Sequence, residues 1–353
     1  MSRNLGPPLS TRQGKILMAI VEQHIATKAP VGSQQLKEEY EFDVSSATIR
    51  NEMAFLEETD YLYQPHTSAG RVPRPNAYRL YVNRIEPKRL SQGSEEVRMF
   101  EGACRRLGDN PRMLLRTTSR NLADMTGHPG ILMTPTRAEG TFESISVTPV
   151  SANNVMLRYE TGDGKQFKKL LHSPASLTAD EIATLSRALK KLYTGRPISQ
   201  LATLTATDLR ASVGGLNIPE KLITALRRAV DVEEDREIFV EGTSYVLGEP
   251  EFQTHSALRD VIELLDQSAL LREVLLPAMS AEEVTVAIGG ENRVETMRNC
   301  SLVARSYRAP TGEVGTLGVL GPLSMNYAHT MPVVGFIARQ LSVSLATRAD
   351  QSR

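Results

Sequence analysis

At 353 residues the chain is long enough for two or three domains with cores of their own, and its 41% hydrophobic content excludes general disorder. It has no apolar run long enough to span a bilayer and no apolar signal core at its N-terminus, so the expected location is the cytoplasm, with no membrane partner. Charge balances at 41 basic and 41 acidic residues, which excludes a whole-chain attraction to polyanions, and the distant pair Cys104 and Cys300 fits neither a disulfide framework nor a zinc site.

The first predicted element is LSTRQGKILMAIVEQHIAT, a helix capped by Ser10 or Thr11, with Ile16, Leu17, Ile20, Val21 and Ile25 on one face. Lys28-Ala29-Pro30 breaks it, because proline disfavours helix in the residue before it. A short helix after Gly32-Ser33 carries Leu36 and Tyr40 inward. Following the turn EFDVSS, Ser45 or Ser46 caps a third helix, ATIRNEMAFLEETDYL. Its inner face is Ile49, Met53 and Leu56, and its outer face is Ala47, Arg50, Asn51 and Ala54. Small residues beside Arg and Asn suit a helix that reads base edges, although an isolated helix with this face is ordinarily just solvated. The order helix, short helix, turn, outward-reading helix gives weight to the first reading. Tyr61–Gln64 and Arg71–Arg74 then read as two short strands joined by His66–Gly70, with Pro65 and Pro73 restricting them to a small edge hairpin. This completes a winged helix. Hydroxyls and Arg71 in the hairpin suit phosphate or minor-groove contact. From Leu62 to Arg89 six basic residues (Arg71, Arg74, Arg79, Arg84, Lys88 and Arg89) face the single acid Glu86, either an electrostatic footprint or a solvated patch.

The stretches PVGSQQL, VSSATIRNEMAFLEE and QPHTSAGRVP closely resemble the N-terminal domain of HrcA, the bacterial heat-inducible transcription repressor family. After Pro73, Arg74-Pro75-Asn76-Ala77 departs from the family's usual wording.

EPKRLSQGS reads as a polar linker. A helical stretch from Glu95 to Met125 is split at Pro111, and strands follow at 130–134, 142–150, 153–159 and 166–171, with a turn at Gly162-Asp163-Gly164. LTADEIATLSRALKKLYTG and LNIPEKLITALRRAV are amphipathic helices, EIFVEGTSYVL is one or two strands, and LRDVIELLDQSALLREVL is one further helix. Strands at 284–288, 300–304 and 314–320 precede a closing helix from Tyr327 to about Thr347. The pattern is α+β with an insertion. NLADMTGHPGILMTP, GGEN, CSLVARSY and GTLGVLGPLSMNYAHTMPVV resemble later HrcA segments, with departures at Ser324, Asn326 and His329. The resemblance implies a winged helix-turn-helix domain (1–88), a discontinuous GAF-like sensor domain (95–175 with 276–347) and an inserted α+β dimerisation domain (176–275).

No catalytic or nucleotide-binding motif is present, so no enzyme, cofactor or metal is expected. GGEN at 289–292 reads as a turn, with Glu291 a surface acid or the lining of a small pocket, and Cys300 as a buried inert thiol. The resemblance implies a homodimeric repressor that binds double-stranded DNA at the CIRCE inverted repeat of the groE and dnaK chaperone operons. It also implies that the GroEL chaperonin maintains its active form. The expected DNA-binding residues are Ser46, Thr48, Arg50 and Asn51 on the helix, with His66, Thr67, Ser68 and Arg71 in the wing. Two alternatives are a winged-helix regulator with a small metabolite in its GAF-like domain and an enzyme on the same fold. The first would need a polar-lined pocket and the second a convergent nucleophile–base pair.

Overall fold

The computed structural model describes residues 8–87, 90, 94–106, 110–136, 141–162, 164, 166–173, 177–202, 204, 205, 207, 209, 212, 213, 218–229, 236–292, 294–310 and 313–351. Lys88, Arg89, Leu107 and Asp163, together with most of the expected linker, lie outside them.

Helix α1 (Thr11–Thr27) starts at Ser10, whose hydroxyl accepts from the Gln13 amide while the Gln13 side chain accepts from the Ser10 amide. It stops at Lys28, whose φ of 56° is left-handed. Helix α2 (Ser33–Glu39) and α3 (Ser46–Glu58) follow, α3 capped by Ser45. Strands β1 (Leu62–Tyr63) and β2 (Val72–Pro73) pair antiparallel, Leu62 opposite Pro73 and Tyr63 opposite Val72. A fourth helix, α4 (Pro75–Arg84), was not foreseen from the sequence; Pro75 starts it and it buries Ala77, Tyr78, Tyr81 and Val82. We refer to α1–α4 with this hairpin as the head.

The linker leads to α5 (Glu95–Arg106) and α6 (Pro111–Thr126), divided at Pro111 as the sequence predicts. The first compact unit joins residues 1–135 to 237–310 and 314–353. Its sheet has the order β7 (Ile238–Glu241), β3 (Gly130–Thr136), β10 (Val314–Pro322), β9 (Cys300–Arg308), β8 (Thr285–Ile288). The sheet, its flanking helices and the head share one continuous hydrophobic cluster, from Ile16 and Leu56 through Tyr78 and Leu122 to Leu317 and Ile337. The closing helix, which we number α12, runs from Tyr327 to Gln351.

The second unit covers residues 136–236 with 311–313. Strands β4 (Phe142–Ser151), β5 (Asn154–Thr161) and β6 (Gln166–His172) form an antiparallel meander. The described helices of this unit are α7 (Ala179–Tyr193), α8 (Ser199–Ala202) and α9 (Glu220–Ala229).

These units correct the expected domain limits, for a reason visible in the cores. Phe142, Val147, Leu157 and Leu171 of the meander pack with Ile182, Leu189, Leu201 and Leu222 in one cluster, so a boundary at 175/176 would cut a single core in half. The stretch read as one helix at 258–275 is two, α10 (His255–Asp266) and α11 (Ser268–Met279), broken at Gln267. Their Val261, Leu264, Leu271 and Leu275 pack with Cys300, Leu302 and Leu320, so they belong with the five-stranded sheet and not with the insertion. The expected strand at 237–247 ends at Glu241; Gly242, with φ of 75°, turns the chain into a 3-10 turn over Thr243–Gly248. The architecture as a whole is α+β, and no helix among the described residues is long and apolar enough to cross a membrane.

Candidate nucleic-acid interface

Helix α3 presents its N-terminal half outward. Ile49, Met53 and Leu56 are buried, while Ala47, Arg50 and Asn51 are exposed and Ser46, Thr48 and Ala54 are half-buried. Ser45 is the cap: its Oγ accepts from the Thr48 amide at 3.1 Å and lies 3.0 Å from the Thr48 hydroxyl. The Thr48 side chain is thus tied to the cap, which leaves Arg50 and Asn51 as the long side chains projecting from this turn. Glu52, on the same helix, is held by α1 through Gln13 at 3.0 Å and Arg12 at 3.6 Å.

The loop from Gln64 to Arg71 is braced from within. Gln64 donates its side-chain amide to the carbonyls of Thr67 at 3.0 Å and Ala69 at 2.8 Å, and the Ala69 amide bonds the His66 carbonyl at 2.9 Å. His66, Thr67 and Ser68 at its tip are exposed. The loop returns against Val31, with Val31 N to Arg71 O at 2.9 Å and Arg71 N to Val31 O at 2.8 Å. Gly70 makes this possible, since a Cβ there would stand 2.4 Å from the Val31 carbonyl carbon and oxygen.

Glu57 ties the loop to the helix. One carboxylate oxygen accepts from the Gln64 amide at 3.2 Å and the other pairs with Arg71 Nε at 2.8 Å. The Arg71 side chain is only 17% exposed. Arg71, expected as a DNA contact, thus has its Nε beside an acid of its own domain. Of the other arginines in the basic cluster, Arg74, Arg79 and Arg84 lie among the described residues. Arg74 pairs with Asp60 at 3.2 Å, donates to the Leu62 carbonyl at 3.3 Å and lies 5.2 Å from the Tyr63 ring centroid. Arg79 is bound to Glu291. Arg84 packs over Gly14, where a Cβ would meet its Nη1 at 2.5 Å. Arg71 and Arg79 thus stand beside acids of the same chain, whereas Arg74 and Arg84 are exposed, as are Arg50, Asn51 and the loop tip.

Sequence reasoning missed Glu57, Gln64 and α4. Glu57 had a signal, an acid at the end of the outward helix facing an arginine in the next element, but one of many such pairs. It also left Glu291 open between surface acid and pocket lining; the side chain is instead an ion-pair partner in the turn Gly289–Glu291. Cys300 is fully buried, and burial pushes its thiol up to about 12, which suits an inert core residue. Surface grooves among the described residues include one of about 550 Å³ between α1 and the 40–42 turn and one of about 470 Å³ along the outer face of α10.

Comparison with known proteins places this geometry in context. The model of the HrcA protein C-terminal domain matches residues 112–331. The heat-inducible transcription repressor HrcA of Pelotomaculum thermopropionicum is 32% identical across 95% of this chain and 96% of its own. That of Moorella thermoacetica is 31% identical across 96% of this chain and 98% of its own. A solved structure described as a hypothetical protein at 2.2 Å resolution aligns at a TM-score of 0.56 with 22% identity, over 97% of this chain and 100% of that one, and shares the fold.

Proposed function

The chain belongs to the HrcA family of heat-inducible transcription repressors, and from that premise we propose that its head is a winged helix-turn-helix that reads operator DNA. The observation that carries this reading is the pairing of an exposed Arg50–Asn51 surface on α3 with an exposed loop tip fastened to the same helix through Glu57. A helix for base edges and a rigid neighbour for the backbone are what such a module needs. In this reading Arg50 and Asn51 read bases, Ser46 and Thr48 approach the phosphates at the helix start, and His66, Thr67 and Ser68 make the wing contacts. Arg71 shapes the wing and leaves phosphate contact to its neighbours.

One such head spans few base pairs, so the protein acts as a homodimer on an inverted repeat, the CIRCE element upstream of the groE and dnaK operons. The sheet body is the GAF-like domain, and the meander unit is the dimerising insertion. GroEL keeps the repressor active until heat-unfolded proteins occupy the chaperonin, and repression then lapses. Footprinting of the protein on its own upstream DNA, with and without GroEL, tests this. Protection of an inverted repeat, strengthened by GroEL, is the expected outcome; no protection in either condition removes the reading.

A further inference from the structure

Two polar bridges fasten the head to the sheet body. In the first, Arg79 of α4 donates Nε to Glu291 at 2.7 Å, Nη2 to the other carboxylate oxygen of Glu291, and Nη2 also to the Val286 carbonyl on β8 at 2.6 Å. The two side chains are 12% and 20% exposed. Glu291 is itself held by the Ile288 amide at 3.0 Å, so the acid is oriented before α4 meets it. The turn that presents it passes through Gly289 at φ 52°, where a Cβ would stand 2.9 Å from the Arg298 carbonyl oxygen and 3.5 Å from Pro75 Cγ. This spot has no room for a side chain, and its neighbour is the first residue of α4.

In the second bridge Lys28, just past the end of α1, donates Nζ to the carbonyl of Ser324 at 2.6 Å and to its hydroxyl at 2.7 Å. Glu251 accepts from the Leu323 and Ser324 amides at 3.1 and 3.2 Å, and so holds the receiving turn. Between the bridges, Tyr78 of α4 and Tyr327 of α12 bring their rings to 6.3 Å. Two separate polar attachments and an aromatic contact thus join α1 and α4 of the head to the body. In some proteins buried ion pairs serve conformational specificity more than stability.

We propose that Arg79, Glu291 and Lys28 are positioning residues for operator recognition: they set the angle at which α3 stands on the body, and with it the half-site spacing the dimer accepts. This rests on the operator-binding reading above. Whatever surface closes the dimer, the orientation of each head on its own body is one term in the separation of the two reading helices. One added base pair moves a half-site by about 3.4 Å and turns it by roughly 35°. Stiffly held heads reject such a change, whereas loosely held heads follow it.

The test uses the full-length protein, duplexes carrying two half-sites with the spacer varied one base pair at a time, and a duplex with a single half-site. Affinities are read by fluorescence anisotropy. Wild type is expected to peak at one spacer length and to fall by about tenfold or more at neighbouring lengths. R79M and E291Q are each expected to flatten that profile while single half-site affinity stays within about twofold of wild type, because only the linkage between the heads has changed. If R79M and E291Q keep the wild-type profile, the positioning role is overturned. The same holds if both variants lose affinity equally for the single half-site and for every spacer, which would mean that the pair serves only the folding of the head. Failure of the wild type itself to bind any inverted repeat would overturn the proposal together with the reading beneath it; that control separates the two.

Discussion

Arg50 and Arg71 lie in adjoining elements of one small head, and their surroundings give them opposite work. Arg50 is exposed on α3, whereas Arg71 is pinned by Glu57 at 2.8 Å and by two backbone bonds to Val31. Arg50→Ala and Asn51→Ala should each cost roughly 1–3 kcal/mol of specific operator binding while leaving non-specific binding nearly unchanged. Footprint titrations on operator and scrambled duplexes measure this, and equal losses on both would sink the base-reading role. Arg71→Met and Glu57→Gln should weaken operator binding to a similar extent, and the double variant should be no worse than either, because both remove one shared contact. A free phosphate contact would behave differently, lowering the salt slope in Arg71→Met alone. The outward residues were legible in the sequence because Ile49, Met53 and Leu56 recur on one face of α3 and are buried there. The internal commitment of Arg71 was not, because nothing in the spacing of Glu57 and Arg71 distinguishes a strut from two solvated charges.

At the scale of elements, what the sequence made plain was whatever repeats locally. Of the two cap candidates read for each helix, Ser10 and Ser45 are the ones used, and these caps, the split at Pro111 and the strands that pair as β4, β5 and β6 follow from short-range chemistry. Helix α4 was hidden because it is only Pro75–Arg84, follows a hairpin and carries its buried residues Ala77, Tyr78, Tyr81 and Val82 among two arginines and two asparagines. The break at Gln267 was equally hidden, since the apolar positions on either side continue a helical pattern across it. The hairpin owes its compactness to Gly70, where any side chain would drive into the Val31 backbone. Gly70→Ala should therefore destabilise the head by about 1–3 kcal/mol and weaken operator binding with it. A thermal unfolding midpoint equal to wild type would show that the loop relaxes freely and that the bridge to Val31 is dispensable.

For the molecule as a whole, the decisive contacts are long-range: Arg79 to Glu291 and Lys28 to Ser324 join segments that no local pattern connects. A buried histidine marks the same region. His24 sits 2.8 Å from the Tyr78 hydroxyl, and burial, then the nearby Lys28, holds its pKa down to about 4 from 6.5. Folded protein thus leaves His24 neutral where the unfolded chain protonates it. The stability at stake is fully present above about 6.5 and is lost as the pH falls towards 4, reaching roughly 3 kcal/mol. Urea unfolding from neutral pH down to about 4 should show this decline, and His24→Asn should flatten it. An unchanged slope in the variant would assign the acid sensitivity to other groups.

The bond from Arg79 to the Val286 carbonyl has a consequence of a different kind. Among the described residues, strand β8 is the outermost strand on its side of the five-stranded sheet, and one flank of its backbone has no described strand beside it. Helix α4 lies there as a guard, and Arg79 caps a carbonyl that a second chain would otherwise pair with. A head that swings away from its body therefore bares a sticky strand as well as losing its aim on DNA. Detachment of the head would by that route favour edge-to-edge association between copies of the chain.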